Sequence, residues 1–385
     1  MRRIKVAVIG TGFIGPAHLE ALQRIGGVDI VAICSDQHDR AEELAALFAI
    51  PKLYDDWIQL AEDPEVEVVH NCTPNNLHFE INKVMIQAGK HVISEKPLTL
   101  NSKESAALIR LAKQKKTVHA INFNYRYYPL MQQAHAMVQK NEVGDIYLVQ
   151  GHYLQDWLYY DTDYNWRLES AISGTSRAVA DIGSHWCDLV QFVSGLKIKK
   201  VFADLKTLHK SRHRPKVKVD TFKGKEASAS HEFESASIDT EDIGSVLLRF
   251  VNGASGVFTV SQVSAGRKNR LWFEMDGNKK ALAWDQEEPN QLWIGYRQKP
   301  NEIIIKDPSL LDESVRQFAH YPGGHPEGYP DCMKNLFLNV YDFIRKNKDP
   351  LKDKANFPTF EDGHWENLIV EAILQSNKEQ RWVEV

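Results

Sequence analysis

Apolar residues in the first part of the chain fall into short continuous runs separated by amphipathic stretches. The runs at 4–9, 30–34, 66–72, 91–95 and 118–123 read as strands buried on both faces. Between them, 13–25, 40–48, 77–88 and 102–115 repeat their apolar positions at helical spacing. Gly89 stands where a helix stop is expected, and Asn101 followed by Glu104 resembles a capping-box start. Such alternation predicts an α/β domain with a doubly wound parallel sheet and right-handed crossovers.

After Tyr125 the texture changes. A helix at 130–140 leads into an alternating strand at 146–153, and a second helix spans 184–194. Strand-like runs at 245–250, 254–263, 271–275 and 292–296 then follow without intervening helices, and Asn252-Gly253 marks a hairpin between the first two. This predicts an α+β domain on an open, mainly antiparallel sheet, closed by a helix at 363–378. The chain therefore divides into 1–125 and 126–385. The polar stretch 206–240 reads as a solvated, charged insertion whose ends are strands.

A length of 385 residues, 43% of them hydrophobic, suits two domains better than one. A net charge of −4 provides no basic field for nucleic acid. Cys34, Cys72, Cys187 and Cys332 lie far apart, so neither a metal site nor a disulfide framework is expected, and a reducing compartment is. The opening MRRIKVAVIG mimics a charged leader, but its apolar run breaks at Gly10 and Gly12. No run is long enough to span a bilayer, so the expectation is a cytoplasmic protein without a membrane partner.

Gly10-Thr11-Gly12-Phe13-Ile14-Gly15 follows a strand directly and opens a helix. Gly10 allows the tight turn, Gly12 lets the backbone approach a pyrophosphate, and Gly15 lets helix and strand pack closely. The free N–H groups of the helix start then meet the phosphates. The second strand ends at Cys34-Ser35-Asp36. An acid there accepts from ribose hydroxyls and repels a 2′-phosphate, which favours NAD(H). Ser35 holds the position first assigned to that acid, and Arg40 nearby would tolerate the phosphate, so NADP(H) stays open. Thr73-Pro74-Asn75 with His78, and Glu95-Lys96-Pro97, end two further strands on the edge where such sheets bind ligands.

Taken together, the glycine loop, these two segments, Asn124-Tyr125-Arg126 and the run from Asp181 to Asp188 resemble the ordered signature of the Gfo/Idh/MocA oxidoreductases. Asp181, Gly183, His185 and Asp188 match its D-x-G-x-H-x-x-D motif, and the motifs extend in order over nearly the whole chain. The resemblance implies hydride transfer between a nicotinamide and a secondary alcohol or ketone of a sugar, anhydrosugar or cyclitol. It implies Lys96 and Asp181 holding the substrate hydroxyl while His185 exchanges its proton, with a relay through Lys96 left open. It also implies a cis Lys96–Pro97 bond. The cofactor contacts expected are Gly10, Gly12, Phe13, Ile14, Gly15, Ser35, Asp36, Arg40, Thr73, Pro74, Asn75, His78, Glu95, Lys96 and Asn124. Gln155, Trp157, Trp166 and Arg167 lie in segments similar to branches acting on pyranosides and anhydrosugars. With Tyr125, Arg126 and His325 they are the expected substrate contacts beside the catalytic three. The Ser35-Asp36 ending departs from the family's usual forms.

The chemistry suits these residue types. A helix beginning near Asp181 puts 181, 185 and 188 on one face. An imidazole titrates near working pH and can take a hydroxyl proton, and a fixed ammonium stabilises a developing alkoxide. Two other readings share this scaffold: a glycoside-cleaving enzyme that retains NAD through transient oxidation, and a sensor that binds a sugar or nucleotide without catalysis. A homo-oligomer, dimer or tetramer, through the open sheet of the second domain is expected.

Overall fold

The computed structural model describes residues 2–216 and 232–385, so the middle of the charged insertion, 217–231, lies outside the described residues. The chain forms two compact units. The first comprises 1–122, 171–174 and 333–367, and the second 123–170, 175–332 and 368–385.

The first unit is built on a six-stranded sheet in the order β3-β2-β1-β4-β5-β6. The strands are β1 (Ile4–Ile9), β2 (Val28–Cys34), β3 (Lys52–Tyr54), β4 (Val68–Asn71), β5 (His91–Ser94) and β6 (His119–Ile121). Every neighbouring pair is parallel. The order reverses between β1 and β4, the switch point at which doubly wound sheets bind ligands outside their strand ends. Central strands take apolar runs because both their faces are covered: Val6, Ala7 and Val8 are wholly buried. Helices α1 (Ile14–Ile25), α2 (His38–Phe48), α4 (His78–Gln87) and α5 (Ser102–Lys115) follow the expected pattern. At the start of α5 the Asn101 side chain accepts from the Glu104 N–H at 3.0 Å, as the capping signal predicts. Strand β3 and α3 (Trp57–Glu62) escape the pattern because three and six residues are too few to display a period.

In the second unit, a nine-stranded sheet runs β16 (Glu302–Ile305), β15 (Gln291–Gly295), β14 (Ala281–Asp285), β13, β7, β12, β11, β8 and β17 (Val383–Glu384) in spatial order among the described residues. Its core is β7 (Ile146–Leu154), β8 (Ile198–Lys206), β11 (Ile243–Phe250), β12 (Ser255–Ser261) and β13 (Arg270–Gly277). Strands β7 and β12 pair parallel, while β11 pairs antiparallel with both β12 and β8, and β13 with β7. The sheet is therefore mixed but mostly antiparallel, as predicted. Asn252-Gly253 makes the β11–β12 turn, with Gly253 at φ +91° and Asn252 Oδ1 accepting from the Ala254 N–H at 3.0 Å. One face carries Val246, Leu248, Phe258, Leu271 and Phe273, all fully buried. Helix α8 (Ser184–Ser194) lies on that face, Trp186 stacking on Phe258 with ring centroids 4.7 Å apart. A Cβ on Gly151 would come within 2.5 Å of the Trp186 indole nitrogen, so glycine is what lets this helix approach β7.

The ends of the insertion are strands, as expected: β9 (Ser211–Pro215) and β10 (Phe233–Ser237) form an antiparallel ribbon. The ribbon is not simply a solvated face. Ile238 joins Leu158 and Leu168 in a small core with Trp157 and Tyr164 against it, and Arg212 is completely buried. The helix Tyr329–Arg345 goes beyond the elements read from the pattern, and the closing helix is Phe360–Glu379. Among the described residues, no helix is long and apolar enough to cross a membrane.

Candidate active site

Within the first unit the glycine loop is shaped for a ligand backbone rather than for side chains. Gly10 has φ +98°, and a Cβ there would sit 2.6 Å from the Cys72 carbonyl oxygen. A Cβ on Gly15 would sit 2.3 Å from the Gly10 carbonyl oxygen, whereas one on Gly12 would meet nothing within 4 Å. The loop thus packs tightly on two glycines and opens to its surroundings at the third. Helix α1 starts with no side-chain cap and no acidic residue in its first turn, so its N–H groups and positive dipole end are left for an anion. These features fit a dinucleotide pyrophosphate.

Ser35 is buried and turns inward: its Oγ lies 2.8 Å from Thr11 Oγ1 and accepts from the Gln37 N–H at 3.1 Å. It braces the glycine loop, which leaves Asp36, exposed one residue later, as the acid at the strand end. Arg40 is exposed and pairs with Glu43 on its own helix. Thr73 is tied back to Asn71 Oδ1 through its hydroxyl at 2.7 Å, and Asn75 Nδ2 donates to the Ser173 carbonyl at 3.1 Å. His78 joins the two loops, its ring nitrogens lying 2.7 Å from the Pro97 carbonyl oxygen and 2.9 Å from that of Thr73. Burial pushes its pKa down, and the two carbonyls oppose that shift.

The Lys96–Pro97 bond is cis, as the resemblance implies. Glu95 beneath it is the hub of a buried network that the sequence did not disclose. Its Oε1 lies 2.9 Å from His18 Nε2 and accepts from Asn122, and its Oε2 accepts from the Lys96 N–H at 3.2 Å. His18 Nδ1 in turn meets His70 Nδ1 at 2.8 Å, and His70 Nε2 meets the Tyr341 hydroxyl at 2.8 Å. Burial works to raise the Glu95 pKa, but the bonds from His18 and Asn122 and the nearby Lys96 charge bring it down to about 2. Glu95 is therefore a structural anion that fixes the backbone of Lys96. His18, in the amphipathic α1, and His70, in a strand, gave no signal of partnership because 52 residues separate them.

In the second unit Asp181 and His185 come together at the start of α8, though not on a regular helix. The turn Val179–Gly183 is π-wound and runs directly into α8, which begins at Ser184 as the pattern predicts. Such wide turns recur at functional sites. Asp181 Oδ2 accepts from Gln262 Nε2 at 2.9 Å, and Arg167 Nε lies 3.6 Å from Oδ1. The His185 ring sits among Phe123, Tyr125 and Tyr153 at centroid distances of 5.7, 4.7 and 6.4 Å.

Beside it lies a closed hydrogen-bond circuit. Asn269 Nδ2 donates to the Tyr125 hydroxyl at 3.0 Å, and the Tyr125 and Tyr153 hydroxyls lie 2.7 Å apart. Tyr153 donates to Asn269 Oδ1 at 2.6 Å. Since Tyr153 has given its one proton to Asn269, Tyr125 must donate to Tyr153. Gln155 Nε2 also donates to Asn269 Oδ1, at 2.8 Å, and Trp157 Nε1 donates to Gln155 Oε1 at 2.9 Å. Asn269, absent from the sequence reading, thus organises the wall expected to face substrate. Burial lifts the Tyr125 hydroxyl to about 12, which keeps it protonated.

Trp166 carries the Arg167 guanidinium over its ring at 4.4 Å. Arg126 makes a two-point pair with Asp188 and lies over the Phe192 ring, which ties the turn at 124–127 to α8. His325 is exposed, its ring near the Gly323 carbonyl at 3.4 Å. Asn124 Nδ2 donates to Cys332 Sγ at 3.4 Å while its Oδ1 is buried with no partner among the described residues. An amide N–H from a ligand would satisfy that oxygen.

A parallel sheet with this strand order, an open glycine loop and an uncapped helix start define a protein of the dinucleotide-binding class. The chain belongs to the GFO/IDH/MocA oxidoreductase family: the family's NAD-binding Rossmann fold matches residues 4–123 and its C-terminal domain matches residues 131–283. Levoglucosan dehydrogenase of Pseudarthrobacter phenanthrenivorans is 28% identical, covering 100% of this chain and 99% of its own. Myo-inositol 2-dehydrogenase of Thermotoga maritima is also 28% identical, covering 99% and 98% respectively. Among solved structures, levoglucosan dehydrogenase in complex with NADH and L-sorbose superposes with a TM-score of 0.89 at 27% identity, covering 100% of this chain and 99% of that one.

Proposed function

We propose that this protein is an NAD(H)-dependent dehydrogenase acting on a secondary alcohol of a sugar, anhydrosugar or cyclitol, with residues of 126–385 supplying most of the substrate contacts. The observation that carries the reading is the Asp181–His185 turn beside the Asn269-organised aromatic wall. A polyol needs this combination of apolar faces and fixed polar groups. Relatives that act on levoglucosan and myo-inositol support the substrate class.

The bound nicotinamide supplies the hydride acceptor. In this reading His185 takes the hydroxyl proton and Asp181 accepts a hydrogen bond from the substrate, and Lys96 is the ammonium that would stabilise negative charge on the reacting oxygen. Asp36, exposed at the end of β2, supports NAD(H) over NADP(H) because it would meet a 2′-phosphate with like charge. Four buried cysteine thiols support a reducing, cytoplasmic setting.

The test is a screen of levoglucosan, myo-inositol and glucose with NAD⁺ and NADP⁺, read at the absorbance of reduced nicotinamide. Turnover of at least one polyol, faster with NAD⁺, is expected, and Asp36→Ala should narrow the cofactor preference. A tenfold preference, equivalent to about 1.4 kcal/mol, for NADP⁺ would reverse the cofactor assignment. Product formation without net NADH would instead favour glycoside cleavage by transient oxidation.

A further inference from the structure

The turn bearing Asp181 is held by a chain of buried polar groups that the reaction above does not use. Gln262, just beyond β12, is fully buried. Its Oε1 accepts from Arg177 Nη1 at 2.9 Å and its Nε2 donates to Asp181 Oδ2 at 2.9 Å. The direction of this amide is determined, because a guanidinium only donates: the oxygen must face Arg177, so the NH₂ must face Asp181. Arg177 is itself 1% exposed and is fixed by Asp242 and by Thr240 Oγ1 at 3.3 Å.

Asp242 is shared with Arg212 of the insertion ribbon at 2.9 Å. The other Arg212 bonds reach the carbonyls of Leu158 at 2.9 Å, Tyr160 at 2.6 Å and Asp163 at 3.2 Å. That segment leads directly to Arg167, which faces the second oxygen of Asp181. Each oxygen of one carboxylate is thus met by a group anchored, directly or through the chain, on the same buried ion cluster. The Asp181 side chain is 18% exposed, so it could rotate in solvent if nothing held it.

We propose that Gln262, locked by Arg177, is a positioning residue for the reaction, holding the Asp181 carboxylate as an acceptor aimed at a hydroxyl of the polyol. This rests on the assignment of Asp181 to the substrate. An acceptor oriented before substrate arrives lowers the barrier by removing a rotational search, and misplacement by about 1 Å from a distant change can cost on the order of a hundredfold.

Two variants separate positioning from plain structure. Gln262→Glu keeps an oxygen toward Arg177 but turns a second oxygen toward Asp181. Gln262→Met removes both bonds at similar volume. Each is assayed with levoglucosan and myo-inositol, its NADH affinity is measured by fluorescence, and its crystal structure is solved. The expectation is a kcat lower by about tenfold to a hundredfold, a much smaller change in KM, unchanged NADH affinity and an Asp181 carboxylate rotated from its present place. A Gln262→Glu variant with wild-type kcat, or with Asp181 unmoved in its crystal, overturns the proposal. Should Gln262→Met fail to fold, Gln262→Glu decides, since it retains the Arg177 bond. If the wild type turns over neither polyol, the functional reading fails separately, and the position of Asp181 in the variant crystals still decides whether Gln262 sets it.

Discussion

Glu95 illustrates how single residues here are tuned by partners distant in sequence. Its carboxyl is lowered from an ordinary 4.5 to about 2, so its contribution to stability is present above about 4.5 and is lost as pH falls through about 2. Wild-type stability, measured by urea unfolding across acid pH, should therefore decline over that window. Glu95→Gln, which has no carboxylate to protonate, should flatten the decline, and an equal slope in both would remove Glu95 from the account. The residues proposed as catalytic should separate by type of failure. On that proposal His185→Ala removes the general base, worth about 10²–10⁴ in rate, and added imidazole should recover part of the loss. Lys96→Ala should cost about 10²–10³ through lost charge stabilisation and resist that rescue. If His185→Ala keeps a near wild-type rate across pH, the proton passes through the lysine instead.

Elements in the second unit are held by residues that belong to other elements. The turn Val179–Gly183 has its start capped by Glu241, whose Oε1 accepts from Ser176 Oγ at 2.7 Å and from the N–H groups of Arg177 and Val179 at 2.9 and 2.8 Å. Asp242 next to it neutralises Arg177 and Arg212 and accepts from the Leu208 and His209 N–H groups at 2.6 and 3.1 Å. Burial opposes its ionisation, yet these groups hold its pKa below the ordinary carboxylate value. Asp242→Asn would leave two buried guanidiniums without a counter-charge and should cost about 3–5 kcal/mol of unfolding free energy. A loss below about 1 kcal/mol in denaturant titration would mean that water reaches the cluster.

At the scale of the molecule, the open face of the second sheet carries the cross-strand pairs Leu247 with Val257, His152 with Trp272 and Trp293 with Ile303. Leu247 is 46% exposed, and Ile303 and Ile305 are 57% and 55% exposed. Patches of this kind mark association surfaces, and we propose a second copy of the chain as the partner. Light scattering should find a dimer or tetramer, and Leu247→Glu should shift it toward monomer. A monomeric wild type at micromolar concentration would discard the surface.

Much of this was legible in the order of residues alone. Parallel strands buried on both faces must be continuous apolar runs, and a glycine loop that admits a backbone at Gly12 must lack side chains, so β1, α1 and their loop could be read directly. The Asp181–His185 pair was legible through its helical spacing together with the resemblance to a family motif. What folding decided is the company each residue keeps. Nothing in the sequence distinguished Arg126, which pairs with Asp188, from Arg167, which faces Asp181. Nor did it show that Ser35 braces the glycine loop, or that Arg212, in a charged stretch, is buried while its neighbours are solvated. Hydrogen bonds and ion pairs act over about 3 Å whatever the separation along the chain, so periodicity reveals which face is buried but not which polar groups meet there.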